Sequence, residues 1–441
     1  MRRGAWTFSL NDVRGVTARY ALLAGLQEFA IWLPLPVLVL HMTDRGLSLA
    51  DVGLAFAIRA VLVVLLEVPT GGLADAIGRR PVALASQACT LLSFAFLLVV
   101  TGHVTLLAYA LFQGVGAALH SGALEAWYVD RLKAVDREVA LQPHLATVAV
   151  AQTAAMLVGA TLGGLLPALA SGLSLPWPLS GFGIALLAGL AMRALVWWLT
   201  VAWVEEPAFA GKLRLADALA MPTIVRDGLR LSRRIAVMPY LLVAGAAMGV
   251  ALISIETFWQ PIASLTFGAD PEASGVYGLL GFALGAAGLL GSLAVMRYGD
   301  RLPGGPVVLA GASQLLKAGG MLLLALLAGG GGVAAGLAIA YFAIATQNVA
   351  HDALVNEAIP DDRRSILLSI SSLVFFLGVA AGSSTLGLVA SRSDPRIALG
   401  IAATFTLLSA FAYAGVAQIQ RREARLAETD APGIEPATAD A

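Results

Sequence analysis

Twelve stretches of this 441-residue chain stay apolar for about twenty residues or more, and that pattern restricts the fold more than any motif does. The hydrocarbon core of a bilayer is about 30 Å thick and is crossed by roughly 20 residues of helix. Inside it every backbone N–H and C=O must be bonded within the protein, so runs of this length cross as helices. They lie near residues 18–41, 50–70, 82–101, 105–128, 143–170, 181–203, 237–263, 272–296, 306–328, 333–358, 365–390 and 396–418. Only 13% of residues are charged, against about 25% in soluble domains. The expected fold class is an all-α membrane protein with twelve transmembrane helices. The first run, from near Tyr20 to about Leu40, is too long for the core of a cleaved signal peptide.

The most polar interruption spans residues 204–236 and carries Lys212, Arg214, Arg226, Arg230, Arg233 and Arg234. It divides the chain into a six-helix bundle over residues 1–203, a central loop over 204–236 and a second bundle over 237–420. Residues 213–231 have the mixture expected of an amphipathic helix. The tail, 421–441, is polar and rich in Ala, Pro and acids, so disorder is expected there. With the N-terminus inside, the inner segments hold twenty-two of the 28 basic residues and the outer loops only Arg45, Arg392 and Arg396. Arg59, Arg193 and Lys317 fall within spans. That bias puts both termini and the central loop in the cytoplasm. Lysines are few beside arginines, and Ala and Gly are abundant, which points to a GC-rich bacterial genome and so to a bacterial inner membrane.

Several functions are excluded by what the chain lacks. It has no G-x-x-x-x-G-K-[ST] phosphate loop, no H-E-x-x-H zinc helix and no G-x-S-x-G elbow, so no catalytic residue, metal or cofactor is expected. The formal net charge is zero and no basic aromatic module is present to bind nucleic acid. The single cysteine, Cys89, cannot form an intramolecular disulfide and reads as a small core residue. Uphill movement of a solute by such a chain must draw on an ion gradient.

The stretch from Gly71 to Pro81 is a charged, glycine-rich turn between the second and third runs. It carries Gly72, Asp75, Gly78, Arg79 and Arg80 at the spacing G-x-x-D-x-x-G-R-R, which with Leu73 and Ala74 resembles the signature loop of major facilitator superfamily transporters. The resemblance covers about residues 15–420. A weak counterpart, Arg297-Tyr298-Gly299-Asp300-Arg301, falls between the eighth and ninth runs, with Met296 where Asp75 would align. Repeated six-helix halves are a common construction of secondary transporters, with the site at their interface near mid-membrane. The family resemblance implies that helices one, four, seven and ten line a central cavity. It also implies that Asp75, Arg79, Arg80 and Asp130, with the glycines Gly72 and Gly78, form a latch joining helices two, three and four, which Glu67 can join. Gln113-Gly114-Val115-Gly116-Ala117-Ala118 resembles the helix-four element of proton-coupled members, with Ala110 where its arginine would stand. Gly159-Ala160-Thr161-Leu162-Gly163-Gly164 resembles, with a missing proline and shortened spacing, a helix-five element of drug:proton antiporters.

Ionisable groups within hydrocarbon are costly, so each is a functional candidate. Glu28 lies mid-way along helix one and Asp352 in helix ten; these are the proton-coupling candidates, because a carboxyl in a low-dielectric cavity can load and release a proton. The competing reading of Glu28 is a structural pair with Arg59. Gln113, His120, Glu256 and Asn348 are the substrate-cavity candidates. Gln113 and His120 are seven residues apart and share a face, as do Asn348 and Asp352 at i and i+4, whereas His351 and Asp352 are adjacent and cannot. Helices six and nine lie outside the implied cavity, so Arg193 and Lys317 read as snorkelling or paired structural charges. Trp32, Phe29, Phe258, Trp259 and Phe342 can coat a cavity for bulky apolar solutes, and Trp127 reads better as an interface anchor.

The expectation is a monomeric transporter in the lipid bilayer that exports a small amphipathic organic molecule, cationic or not, in exchange for protons. Proton-coupled uptake of a metabolite is the alternative within the same class. From other classes, a transport-inactive sensor conflicts with the intact turn and buried Glu28. A lipid-linked transferase using Asp361-Asp362 conflicts with the neutralising Arg363 and Arg364 beside them.

Overall fold

The computed structural model describes residues 10–71, 73, 77–120, 122–206, 221–302, 304–327, 329–360 and 363–430. Among them twelve helices are long and apolar enough to cross a membrane, and no strand occurs. They are α1 Val13–Asp44, α2 Leu49–Leu66, α3 Arg79–Leu98, α4 His103–Val135, α5 Leu141–Ala170 and α6 Gly183–Trp203 in the first half of the chain. In the second they are α7 Met238–Phe267, α8 Pro271–Tyr298, α9 Gly305–Leu326, α10 Gly330–Ala358, α11 Ile366–Arg392 and α12 Pro395–Glu423. Each coincides with one of the twelve apolar runs. An even number of crossings leaves both chain ends on one side, the terminal face, opposite the far face.

Two spans that read as continuous are broken. In α1 the α-helix stops at Trp32 and resumes at Leu38 after a 3-10 turn over Leu35–Val37. Pro34 and Pro36 lack the N–H that an α-helix would bond, so the break sits at them. In α4 the helix ends at Leu119 and restarts at Ala123, with Gly122 at a φ of +73°. That left-handed conformation is open to glycine at little cost.

Burial shows how the halves meet. Near the terminal face each half has a core of its own. Val16, Tyr20, Tyr128 and Leu132 belong to the first, Met238, Leu241, Leu354 and Leu367 to the second. Near the far face the cores are shared. Val37, Leu40 and Phe182 pack with Ile255, Phe258 and Tyr277, and Val52 and Phe56 with Ile253 and Val379. Small residues bring the backbones together there, as membrane helices without a hydrophobic driving force require. A Cβ on Gly53 of α2 would stand 2.2 Å from the Ser383 carbonyl oxygen of α11. One on Gly164 of α5 would stand 2.2 Å from the Gly278 nitrogen of α8. The halves are thus shut against each other at the far face and part toward the terminal face.

At the terminal face a helix over Met221–Ser232 packs on α11, with Gly228 against Ile366 and Ile370. It realises the C-terminal part of the amphipathic segment expected in the central loop; residues 207–220 lie outside the described residues, as do Asp361 and Asp362. The last helix runs on to Asp430, so residues 421–430, expected to be disordered, are helical. Their Ala, Arg, Glu and Leu are strong helix formers, and both prolines of the tail, Pro432 and Pro436, lie beyond them. Residues 431–441 lie outside the described residues.

Candidate functional site

The parting of the halves leaves a cavity of about 490 Å³, within the range of roughly 300–1,000 Å³ of small-molecule sites. Its wall draws on both halves: Gln27 and Trp32 of α1, Arg59 of α2, Gln113 and His120 of α4, Arg193 of α6, Glu256 of α7 and Phe376 of α11. Both broken helices face it, α1 with Trp32, Pro34 and Leu35, α4 with Ala117 and His120. Discontinuous helices recur at transporter sites because irregular backbone is tolerated where it lines a cavity.

Three of the four substrate-cavity candidates meet here. Gln113 accepts a hydrogen bond from the Ser93 hydroxyl at 3.0 Å, and His120 contacts the Gln27 amide at 3.1 Å. Glu256 lies within electrostatic reach of Arg59 and within hydrogen-bonding reach of the Tyr341 hydroxyl of α10. It also borders a small void beyond the cavity toward the far face, together with Trp259, Gln260 and Tyr341. The fourth candidate, Asn348, does not line the cavity, and neither does Asp352. Both are exposed on the same helical face as Tyr341, about two and three turns toward the terminal face. Glu28 stands aside as well, in a smaller space of about 300 Å³ bordered by His120, Glu125 and Gln152.

The charges within the spans are arranged otherwise than expected. Glu28 does not pair with Arg59: the guanidinium in its electrostatic reach is that of Arg193, while Arg59 answers to Glu256. Arg193 is not outside the cavity; α6 packs on α1 and α3, which turns its buried side chain inward over the Phe94 ring at 3.9 Å from the centroid. Lys317 does not snorkel, and among the described residues it meets no acid. It is 1% exposed and donates to Gln347 Oε1, and Gln347 in turn donates to Gln314 and to the Tyr413 hydroxyl. His351 joins through its Nδ1 at 2.9 Å from that hydroxyl. The network ties α9, α10 and α12 together, and a satisfied polar network in a low-dielectric interior fixes helix register.

Of the latch, Gly72 and Asp75 lie outside the described residues, as does the side chain of Glu67. Arg79 forms an ion pair with Asp130, joining α3 to α4. Residues that the turn motif did not reveal complete the arrangement. Glu206, just past α6, accepts from the backbone N–H of Arg79 and of Arg80, each at 2.8 Å. A carboxylate there satisfies two of the four free donors at the start of α3 and complements its dipole. Gly78 has a φ of +99°, and a Cβ on it would lie 2.8 Å from Glu206 Oε2, so both conformation and contact call for glycine. The Arg80 guanidinium donates to the Val201 carbonyl at 2.8 Å and the Trp127 indole to the Glu205 carbonyl at 2.8 Å. Trp127, expected as an interface anchor, is buried in this junction. Among the described residues these links lie within the first half. Glu206→Ala is expected to cost about 1–2 kcal/mol, read as a lower thermal midpoint of the purified protein. Glu206→Gln, which keeps an acceptor, should lose less; equal losses would mean that capping is not the role.

Gln260 of α7 was also hidden from sequence reasoning. It is 1% exposed and reaches across to the break in α1. Its Oε1 accepts from Val39 N–H at 2.9 Å and Leu40 N–H at 3.3 Å, and its Nε2 donates to the Leu35 carbonyl at 2.9 Å. A polar residue within a span is the signal that could have found it, but the broken backbone it serves is a tertiary feature.

The Major Facilitator Superfamily model matches residues 20–350. The solved structure of the nucleoside transporter NupG is similar, with a TM-score of 0.72 at 15% identity, covering 90% of this chain and 98% of that one. The peptide transporter POT in complex with sulfate has a TM-score of 0.70 at 13% identity, covering 93% of this chain and 95% of that one. The human organic anion transporter MFSD10 (TETRAN) has a TM-score of 0.57 at 18% identity, covering 91% and 99%. No curated protein matches the sequence.

Proposed function

This chain belongs to the Major Facilitator Superfamily, and from that premise, which makes it a membrane transporter rather than an enzyme, we propose that it exports a small amphipathic organic molecule in exchange for protons. It works from the bacterial inner membrane as a monomer, with the terminal face in the cytoplasm. The position of Glu256 carries the proposal. It borders both the main cavity, on the side where the cores of the two halves are separate, and the small void on the side where they are shared. A group at that boundary can meet each side in turn as the halves rock, which a proton carrier must do. Aromatic side chains in the wall, among them Trp32, Phe56 and Phe94, suit the apolar part of the solute. Glu28, in the smaller space beside the cavity, and Asp352, exposed on α10, serve as proton relays to it. Proton coupling draws on the helix-four element that resembles that of proton-coupled members, and the direction on the helix-five element that resembles that of drug:proton antiporters.

Proton-coupled uptake is favoured by one observation: two guanidiniums line the cavity. An anion that enters with a proton moves no net charge. Vesicles decide between the two directions. In inverted vesicles energised to be acidic inside, an exported compound collapses the pH gradient on addition. In right-side-out vesicles, a compound taken up with protons acidifies the lumen. Either signal should vanish in Glu256→Gln. A panel of organic anions, cations and neutral compounds that produces neither signal would count against proton coupling.

A further inference from the structure

The electrostatics of the cavity are lopsided in a way that bears on what it holds. Arg59 comes from α2 and Arg193 from α6, yet both line the same space and both lie within electrostatic reach of the buried Tyr109 hydroxyl. Among the described residues neither guanidinium forms an ion pair or a hydrogen bond, and the Nε of each is buried without a partner. An arginine in the middle of a membrane domain is costly unless something pairs with it. The two carboxylates in reach, Glu256 for Arg59 and Glu28 for Arg193, form no contact close enough to be an ion pair.

The side chains are also held in a suitable posture. The Phe94 ring covers the flat face of the Arg193 guanidinium at 3.9 Å, which limits its rotation and leaves its N–H edge free. A guanidinium edge matches two oxygens of a planar oxyanion, geometry that a lysine cannot offer. The aromatic wall lies beside these edges, so an apolar group attached to the anion has a place to go.

We infer that the transported solute carries a carboxylate or a similar oxyanion, and that Arg59 and Arg193 together hold it, with Trp32 and Phe94 against its apolar part. This rests on the transporter reading above, whichever direction it runs, and narrows its substrate from amphipathic molecules in general to amphipathic anions and zwitterions. It replaces the cationic solute that the sequence left open.

Isothermal titration of the purified full-length chain tests the assignment with three probes of nearly one size: phenylacetate, its neutral amide and phenethylamine. Phenylacetate should bind at least about tenfold tighter than the other two, and Arg59→Gln and Arg193→Gln should each remove at least about tenfold of that affinity. Arg193→Lys, which keeps the charge and loses the fork, should fall between; it stands in if Arg193→Gln does not purify as a folded protein. Preference for phenethylamine, no binding of phenylacetate, or phenylacetate affinity unchanged by both substitutions overturns the assignment. The two readings fail separately. Proton-coupled flux of a cation in vesicles without anion binding removes the anion site alone. Arginine-dependent binding of phenylacetate without flux of any compound removes the proton-coupled transport reading alone.

Discussion

Glu256→Gln should abolish uphill movement of the solute while leaving downhill movement in place. A pH difference of one unit supplies about 1.4 kcal/mol for each proton moved, enough for a roughly tenfold solute gradient at one-to-one coupling. Glutamine preserves the shape of the side chain and its capacity to face Tyr341, but it cannot gain or lose a proton. In vesicles with an imposed pH difference, the variant should therefore bring the solute to equal concentrations and stop there, with exchange of labelled for unlabelled solute continuing. Glu28→Gln should slow the approach to the gradient without erasing it, because Glu28 stands beside the cavity rather than at its far boundary. If Glu28→Gln alone removed the gradient and Glu256→Gln did not, the roles proposed for the two would be reversed.

The second large effect concerns the closed far face. Gln260 makes three hydrogen bonds from α7 to the break in α1, and they exist only while the halves meet there. In Gln260→Leu the Val39 N–H and the Leu35 carbonyl lose that partner in a dry environment, at about 1–3 kcal/mol for each unsatisfied group. The penalty falls on the far-closed state and not on the far-open one, so the equilibrium should shift toward far-open by about tenfold or more. A cysteine placed at Thr43, at the far end of α1, would report the shift as faster modification by an impermeant thiol reagent from the far side. A cysteine at Gln27, in the cavity wall, should become slower to label from the terminal side. Gln260→Glu keeps the acceptor and loses the donor, so an intermediate shift is expected. Unchanged labelling in Gln260→Leu would mean that the shared apolar cores alone hold the face shut.

The membrane architecture could be read directly from the chain. Twelve apolar runs, a basic interruption at mid-chain and the Gly78-Arg79-Arg80 turn were enough for the all-helical fold and the superfamily, because the bilayer imposes a length and a composition on every span. The same reasoning marked Arg59, Arg193, Glu256 and Lys317 as unusual, since each is a charge within hydrocarbon. It could not sort them. Whether a buried charge faces a cavity, a neighbouring helix or lipid depends on how its helix is rotated, and α6 turns Arg193 inward by packing against α1 and α3. Asn348 and Asp352 show the opposite case: a coherent polar face that lies outside the cavity wall.

The number of crossings and the family follow from local composition and spacing along the chain. Which charges share a site follows instead from contacts between segments distant in the chain. Arg59 and Arg193 are far apart in the chain, as are Gln260 and the break in α1, or Glu206 and the start of α3. Apolar patterning records how well a helix suits lipid; it holds no term for which polar groups from separate helices come to face one another. That is set by the packing of the helices, and here it gathers two guanidiniums, unpaired among the described residues, and a carboxylate around one cavity.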